Sequence, residues 1–271
     1  MSTKTQRHEI TKKRVLYQIP GMEAVTIRRD VQYLVTSEST LTLDIYYPPE
    51  AQNGRRAPAI IFIFGYPDVG FQKILGCTQK EMESFVSWAQ LVAVSGIAAI
   101  TYETKEPAAD LNALLQYVRQ NAESLGIEED MIGLWACSGH VPNALSFLMR
   151  EDSGHLKCSA LCYGYTLDLD GSTGIAEAAK QYGFVNPCAG KSVNDLPQNI
   201  PLFIVRAGRD QMPHLNETLD LFLVRALGCN LPITFANHTE APHAFDLFHD
   251  SAETREIIRQ ILAFMRFHLL R

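Results

Sequence analysis

Short apolar runs separated by helical stretches restrict the fold of this chain more than any other feature. Two leading runs, at 25–35 and 41–47, have alternating faces and are joined by a polar turn, which predicts a pair of strands. Two later runs, at 58–64 and 96–101, are continuously apolar, as in strands buried on both faces of a parallel sheet. Further strand-like runs lie at 131–136, 158–163, 201–207 and 232–236. This alternation predicts an α/β fold: a mostly parallel sheet with helices on both faces.

Helical patterns fill the intervals between the strands. Thr78 and Glu81 have the spacing of a capping box ahead of a helix over 82–94. Other apolar residues at helical spacing predict helices over about 111–118, 175–182, 215–227 and from Asp250 to Met265. The segment 164–199 fits the alternation least well, and a loop of this length over a sheet often shapes a binding site. We therefore expect the segment 164–199 to pass over the functional site of this protein.

Length and charge limit the classes of protein that this chain can represent. Its 271 residues, 46% of them hydrophobic, can bury one large core without repeats or linkers, so a single domain over 1–271 is expected. A net charge of −6 argues against a nucleic-acid partner. The basic N-terminus surrounds no apolar core, so 1–18 is predicted to be a flexible, solvated tail rather than a signal peptide. No stretch approaches the roughly 20 apolar residues of a transmembrane helix, and no membrane partner is expected.

The cysteines and histidines give little sign of disulfides or metals. Cys137, Cys158 and Cys162 lie in strand-like runs, where thiols usually serve as small core residues. A reducing, cytoplasmic compartment is therefore expected. His238, His243, Asp246 and His249 cluster, but their spacing matches no zinc motif, and no glycine-rich phosphate loop follows a strand, so neither a metal nor a cofactor is predicted. The sequence leaves a homodimer open.

The run from Ile132 to His140 predicts a strand that turns sharply into a helix opened by Pro142. Such a nucleophile elbow holds its central side chain clear of the backbone, and the central residue here is Ser138. Small residues are required two positions before and after the nucleophile, because the strand and the helix approach closely there. Ala136 meets this requirement, whereas His140 does not.

Two other interpretations of this turn stay open. In one, Cys137 is the nucleophile, but Trp135 then stands two positions ahead, which is a worse clash than that of His140. In the other, Ser138 only caps the following helix. The steric comparison favours Ser138 over Cys137 as the nucleophile.

A serine nucleophile requires a base and an acid that orients the base, and both follow later in the chain. Asp210 comes just after a buried strand and a glycine turn, although it could instead cap the next helix. His243 lies in a loop beyond the last strand, with His238 and His249 as rivals. The order serine, aspartate, histidine at these strand ends favours His243 as the base.

Backbone N–H groups near the elbow are candidates to bind a developing oxyanion. Tyr66 follows Gly65 at the end of the strand 58–64, and Gly139 opens the turn after Ser138. The Tyr66 and Gly139 N–H groups are therefore the expected pair, although Gly65-Tyr66 can also be read as an ordinary turn.

Side chains that contact the substrate are less clearly marked. His140, Phe71 and Tyr182 are the candidates for substrate binding. An aromatic pocket is one interpretation of a larger set, which core packing explains equally well: Tyr66, Phe71, Trp88, Tyr182 and Phe184.

On these residues, the chain resembles the α/β-hydrolase superfamily and looks closest to its dienelactone-hydrolase and small-carboxylesterase branch. The resemblance is carried by residues 20–23, 43–48, 133–138, 207–210 and 242–245. It implies an eight-stranded sheet that is antiparallel at its second strand, with the triad at the carboxyl edge. The chain departs from the family where Phe64 precedes Gly65 in place of histidine, and where Ala136 and His140 replace glycines. Dienelactone hydrolases use a cysteine nucleophile, so Ser138 favours an esterase.

The sequence therefore predicts a serine hydrolase that cleaves small esters through an acyl-enzyme on Ser138, with His243 as base and Asp210 orienting it. An acyltransferase or an amide or C–C hydrolase would use the same three residues. A non-catalytic binding protein of this fold is a further alternative, and it is favoured by His140 at the crowded position of the elbow.

Overall fold

The computed structural model describes residues 7–49 and 55–270, which build an eight-stranded sheet in the order β1-β2-β4-β3-β5-β6-β7-β8. The strands β1 to β8 span Thr26–Val35, Thr40–Tyr47, Ala57–Phe62, Ala98–Tyr102, Ile127–Cys137, Leu156–Cys162, Leu202–Ala207 and Ile233–His238. The strand β2 pairs antiparallel with both β1 and β4, and the other neighbours are parallel. The predicted mostly parallel sheet is confirmed, and each strand overlaps the apolar run that predicted it.

Helices pack on both faces of this sheet. The helices α1 to α8 span Asp68–Leu75, Glu83–Val94, Pro107–Gln120, Val141–Leu148, Gly174–Tyr182, Leu215–Gly228, Phe245–Phe248 and Ala252–Leu269. The sequence predicted all of these except α1 and α7, which have eight and four residues and are too short to show a period. None of the helices in the described ranges is long and apolar enough to cross a membrane.

The predicted capping box forms, but it closes a short turn instead of starting α2. The N–H and Oγ1 of Thr78 both donate to Glu81 Oε2, at 2.8 and 3.0 Å. The residues between them form a 3-10 turn over Gln79–Glu81. Met82 then adopts an extended backbone, so that α2 begins only at Glu83.

A buried lysine ties this turn to the first two strands. The Lys80 side chain is 4% exposed, and its Nζ donates to Asp30 Oδ1, Thr42 Oγ1 and Asp44 Oδ1 at 2.7, 2.8 and 3.0 Å. Asp44 is buried as well, and its Oδ2 also lies 3.2 Å from the half-exposed Arg29 guanidinium, so Lys80 is its buried counter-charge. The turn is thereby anchored where Gln79, its first residue, approaches the functional site.

The N-terminal region differs from the predicted flexible tail. Residues 1–6 lie outside the described residues, but 7–18 pack against the domain and include a 3-10 turn over Glu9–Lys12. Val15 is fully buried in the core. The local basic charge therefore did not reveal the apolar contacts that hold this part of the chain.

We call residues 8–16 the N-terminal strap, because hydrogen bonds attach its two ends to different helices. The His8 N–H donates to the Leu75 carbonyl at the end of α1, at 3.0 Å. The Leu16 N–H donates to the Asp246 carbonyl in α7, at 2.8 Å. The strap therefore bridges α1 and α7.

Replacing Lys80 by methionine should destabilise the fold, because buried Asp44 then keeps only the half-exposed Arg29 guanidinium as a counter-charge. We expect K80M to lower the free energy of unfolding by about 3 kcal/mol, measured by urea denaturation. The matched control is Lys12→Ala, which breaks an exposed ion pair with Glu9 and should cost less than about 1 kcal/mol. Equal losses in the two variants would contradict the role given to the buried pair.

Candidate active site

Ser138 occupies the sharp turn at the carboxyl end of β5. Its φ of +52° lies in the left-handed region, which costs a non-glycine residue on the order of 1–3 kcal/mol. A 3-10 turn over Ser138–His140 leads directly into α4, which carries Pro142 in its first turn. This is the backbone geometry of a nucleophile elbow.

Asp210 and His243 meet Ser138 at the same edge of the sheet. Asp210 follows β7, and its side chain is fully buried. His243 follows β8, and its side chain is 26% exposed. The Ser138 Oγ lies 2.9 Å from His243 Nε2, and His243 Nδ1 lies 2.6 Å from Asp210 Oδ2. The structure thus brings three distant residues into one hydrogen-bonded chain.

The Asp210 carboxylate determines which nitrogen of the His243 ring carries the proton. An ionised carboxylate only accepts hydrogen bonds, so His243 Nδ1 donates to Asp210 and Nε2 is left to accept the Ser138 hydroxyl. The other oxygen, Asp210 Oδ1, accepts the Met212 N–H at 2.9 Å. Because α6 begins only at Leu215, Asp210 holds a turn and a histidine and does not cap the helix.

The rival residues are placed differently. Cys137 has an extended backbone and is buried, and this burial raises the pKa of its thiol, which keeps it in the poorly nucleophilic neutral form. His238 is buried with its Nε2 3.0 Å from Thr254 Oγ1, and the His249 ring packs against it. The contact with the Ser138 hydroxyl comes from His243.

Gly65 brings the turn after β3 against the elbow. A Cβ at this position would lie 2.5 Å from the Gly139 carbonyl oxygen, so no side chain can be accommodated. The next residue, Tyr66, has its carbonyl held by Gln79 Nε2 at 2.7 Å, and the same amide reaches Asp68 Oδ1 at 3.1 Å. The two predicted oxyanion residues, Tyr66 and Gly139, are therefore neighbours in space.

His140 has a structural contact that the sequence did not indicate. Its Nδ1 accepts the Gly65 N–H at 2.8 Å, and its ring packs edge-on against Phe64, Tyr66 and Phe85. Burial lowers the pKa of this imidazole to about 3, so the ring is neutral near pH 7 with its proton on Nε2. His140, which departs from the small-residue requirement, therefore braces the turn after β3, and it also lines the adjoining cavity.

A cavity of about 310 Å³ opens beside Ser138 and His243. Its wall is mostly apolar, and Phe71 lies in it, as does Ile10 from the N-terminal strap. Aromatic side chains form a large part of the lining: Tyr66, Phe71, Phe85, Trp88, Trp135, Tyr163 and Phe248. A pocket of this size and character fits a small organic molecule.

The segment 164–199 contacts the site from the other side. The Val185 N–H donates to the Gly65 carbonyl at 2.8 Å, and Phe184 lies against Gly139. Tyr182 packs with this aromatic cluster, and among the described residues it is not one that lines the cavity. Of the three predicted substrate contacts, the structure thus places His140 and Phe71 in the lining of the cavity and Tyr182 outside that lining.

Sequence reasoning gave Asp246 and Ile10 no role in this site. Asp246 lines the cavity, and its carboxylate accepts hydrogen bonds from Trp88 and Tyr163. Ile10 was assigned to a solvated tail. Asp246 follows His243 by three positions, and the sequence marked it only as a member of a cluster that matches no zinc motif. Within the described ranges, no group of three or more His, Cys, Asp and Glu side chains is arranged to hold a metal ion.

Solved structures of the α/β-hydrolase fold resemble this chain. An esterase 2 from Thermogutta terrifontis superposes with a TM-score of 0.64 at 18% identity, over 92% of this chain and 97% of that one. An esterase from Rhizomucor miehei gives 0.69 at 17% identity, over 91% and 84%. An α/β hydrolase from a deep-sea metagenome of the Medee basin gives 0.62 at 16%, over 91% and 99%. No protein-family model and no curated protein matches the chain. The chain therefore has the α/β-hydrolase fold.

The buried imidazole of His140 should make stability depend on pH. Because its pKa is near 3 when folded and about 6.5 when unfolded, only the unfolded chain gains this proton as the pH falls below 6.5. The free energy of unfolding should therefore fall by about 1 kcal/mol per pH unit between pH 6 and 4 from this group. His140→Asn keeps an acceptor for the Gly65 N–H and should show a shallower fall, measured by urea denaturation. Parallel curves for the two proteins would contradict this account.

Proposed function

We propose that this protein is a serine hydrolase that cleaves small carboxylic esters through an acyl-enzyme on Ser138. The observation that carries the proposal is the hydrogen-bonded chain Ser138, His243 and Asp210, with spacings of 2.9 and 2.6 Å, at the elbow after β5. A serine hydroxyl is a poor nucleophile unless a base takes its proton, and this geometry supplies the base and its orienting acid.

In the first half-reaction, Ser138 Oγ attacks the ester carbonyl carbon while its proton passes to His243 Nε2. The tetrahedral intermediate then expels the alcohol, whose oxygen takes the proton back from Nε2, and the acyl group stays on Oγ. In the second half, water attacks the acyl carbon with the same base, and the acid leaves as Ser138 recovers its proton. Asp210 keeps the imidazole in one tautomer and stabilises its charged form.

Backbone N–H groups of Tyr66 and Gly139 serve as the oxyanion donors in this proposal. Such donors are useful only if they are already in place when negative charge develops on the carbonyl oxygen. The contact of His140 with the Gly65 N–H and that of Gln79 with the Tyr66 carbonyl support this role. These two bonds fix the peptide groups on either side of the one that carries the Tyr66 N–H. Removal of one such donor typically costs about 10²–10³ in kcat.

Two further observations support an esterase. The cavity beside Ser138 is apolar, which suits the acyl or alcohol arm of an ester. The similar Thermogutta terrifontis esterase 2 is recorded as phosphoramylated by tabun and phosphonylated by sarin, as expected of an enzyme with an activated nucleophile. The binding-protein alternative was favoured by crowding at His140, but that side chain braces Gly65 without separating Ser138 from His243.

Replacing Ser138 by alanine should abolish turnover of a short-chain p-nitrophenyl ester, with a fall in kcat of at least about 10³-fold. A fluorophosphonate probe should label wild type at Ser138, as read by mass spectrometry of the labelled peptide, and should not label the variant. Cys137→Ala is the matched control and should keep both turnover and labelling. Activity that survives in S138A, or is lost in C137A, would refute the assignment of the nucleophile.

Ile10 should limit the length of the acyl chain that the cavity accepts, because this side chain of the N-terminal strap lines the cavity. We expect Ile10→Trp to lower kcat/KM for p-nitrophenyl hexanoate by about tenfold or more relative to the acetate, since the larger side chain fills the space. Ile74→Trp is the control, because Ile74 is 78% exposed on α1 and lies outside the lining. An unchanged ratio of the two esters in I10W would exclude the strap as a wall of the substrate site.

A further inference from the structure

Asp246 is a buried carboxylate that the proposed reaction does not use. It lies in α7, is 3% exposed, and lines the same cavity as Ser138. Its Oδ2 accepts the Trp88 Nε1–H at 2.7 Å, and its Oδ1 accepts the Tyr163 hydroxyl at 2.7 Å. Both donors are neutral, so they orient the carboxylate without cancelling its charge.

The wall of the cavity provides no permanent cation to balance this carboxylate. Neither lysine nor arginine is among the described residues that line it. Lys13 is not one of the described lining residues, and its Nζ lies 5.7 Å from the centroid of the Phe248 ring. A buried carboxylate without a cation is costly, and burial accordingly raises the pKa of Asp246. A cation that enters the cavity would supply the missing compensation.

The remaining wall is suited to such a cation. Seven aromatic side chains line the cavity, and the electron-rich faces of aromatic rings attract ammonium groups. A primary ammonium needs three hydrogen-bond acceptors, whereas polar groups form only a small part of this largely apolar wall. A quaternary ammonium needs none. Each Asp246 oxygen already accepts one hydrogen bond, and charge attraction alone is sufficient for a quaternary centre.

We propose that the cavity binds a quaternary ammonium group carried on one arm of the ester, with Asp246 as the residue that selects the positive charge. The inference rests on the proposed ester hydrolysis and names its substrate class. The same carboxylate, with neither lysine nor arginine among the described lining residues to oppose it, disfavours esters whose arm carries a carboxylate.

The test compares esters that differ in charge but not in shape. One pair is acetylcholine and 3,3-dimethylbutyl acetate. The other is p-nitrophenyl 4-(trimethylammonio)butanoate and p-nitrophenyl 5,5-dimethylhexanoate. We expect wild type to favour the cationic member of at least one pair by about tenfold or more in kcat/KM, mainly through KM. A ratio near one, or below one, in both pairs would overturn the proposal.

Asp246→Asn tests the residue itself. The asparagine can accept from Trp88 with its Oδ1 and donate to the Tyr163 oxygen with its amide, because a hydroxyl both donates and accepts. We expect D246N to lose most of the cationic preference, so that the ratio of kcat/KM for the cationic ester to that for the neutral ester falls by about fivefold or more. Tyr163→Phe keeps the carboxylate and should keep the preference. If D246N lowers the cationic and neutral rates equally, Asp246 only positions Tyr163 and His243, and the proposal is wrong.

Binding to Ser138→Ala separates this proposal from the proposed hydrolysis. Isothermal titration calorimetry with acetylcholine and 3,3-dimethylbutyl acetate requires no turnover. Tighter binding of the cationic ester by S138A, lost in S138A/D246N, would support the ammonium site even if wild type hydrolysed neither compound. Equal binding of the two esters would overturn it, whatever the hydrolytic activity.

Discussion

The close approach of two strand-end turns is the constraint on which the rest of the site depends. Gly65, after β3, lies so near the backbone of Gly139, after β5, that a single methyl group would collide with a carbonyl oxygen. Ser138 is held between β5 and α4 in a left-handed conformation that the flanking strands make tolerable, because β5 is hydrogen-bonded on both sides. With these backbones in place, loops after β7 and β8 need only deliver Asp210 and His243 to the same edge.

His140 shows how an apparent violation of a local rule becomes part of the site. A large side chain two positions after the nucleophile was expected to crowd the elbow. Instead, its ring occupies a space between aromatic residues and its Nδ1 accepts the Gly65 N–H. An acceptor for that buried N–H is needed in any case, since an unpaired backbone donor is costly. The histidine thus takes on a hydrogen bond that the turn requires.

Patterns local in sequence predicted the sheet, six of the helices and the order Ser138, Asp210, His243, because period and strand ends are local properties. The long-range partners were not predictable in this way. The Trp88 indole and the Asp246 carboxylate are 158 positions apart, and neither stretch carries a signal for the other. The prediction for the N-terminal strap failed for a related reason. Its basic residues indicated a solvent-exposed tail, whereas the burial of Val15 holds the strap against the domain.

The arrangement around Tyr163 reconciles two positive charges in one cavity. The proposed acylation makes His243 cationic for part of each turnover, and a bound ammonium would be a second cation. The Tyr163 ring packs edge-on against His243, with centroids 5.2 Å apart, while its hydroxyl donates to Asp246. The phenol therefore contacts both the imidazole and the carboxylate. Because Asp210 and Asp246 are separate carboxylates, each cation has its own counter-charge, and neither must leave for the other to form.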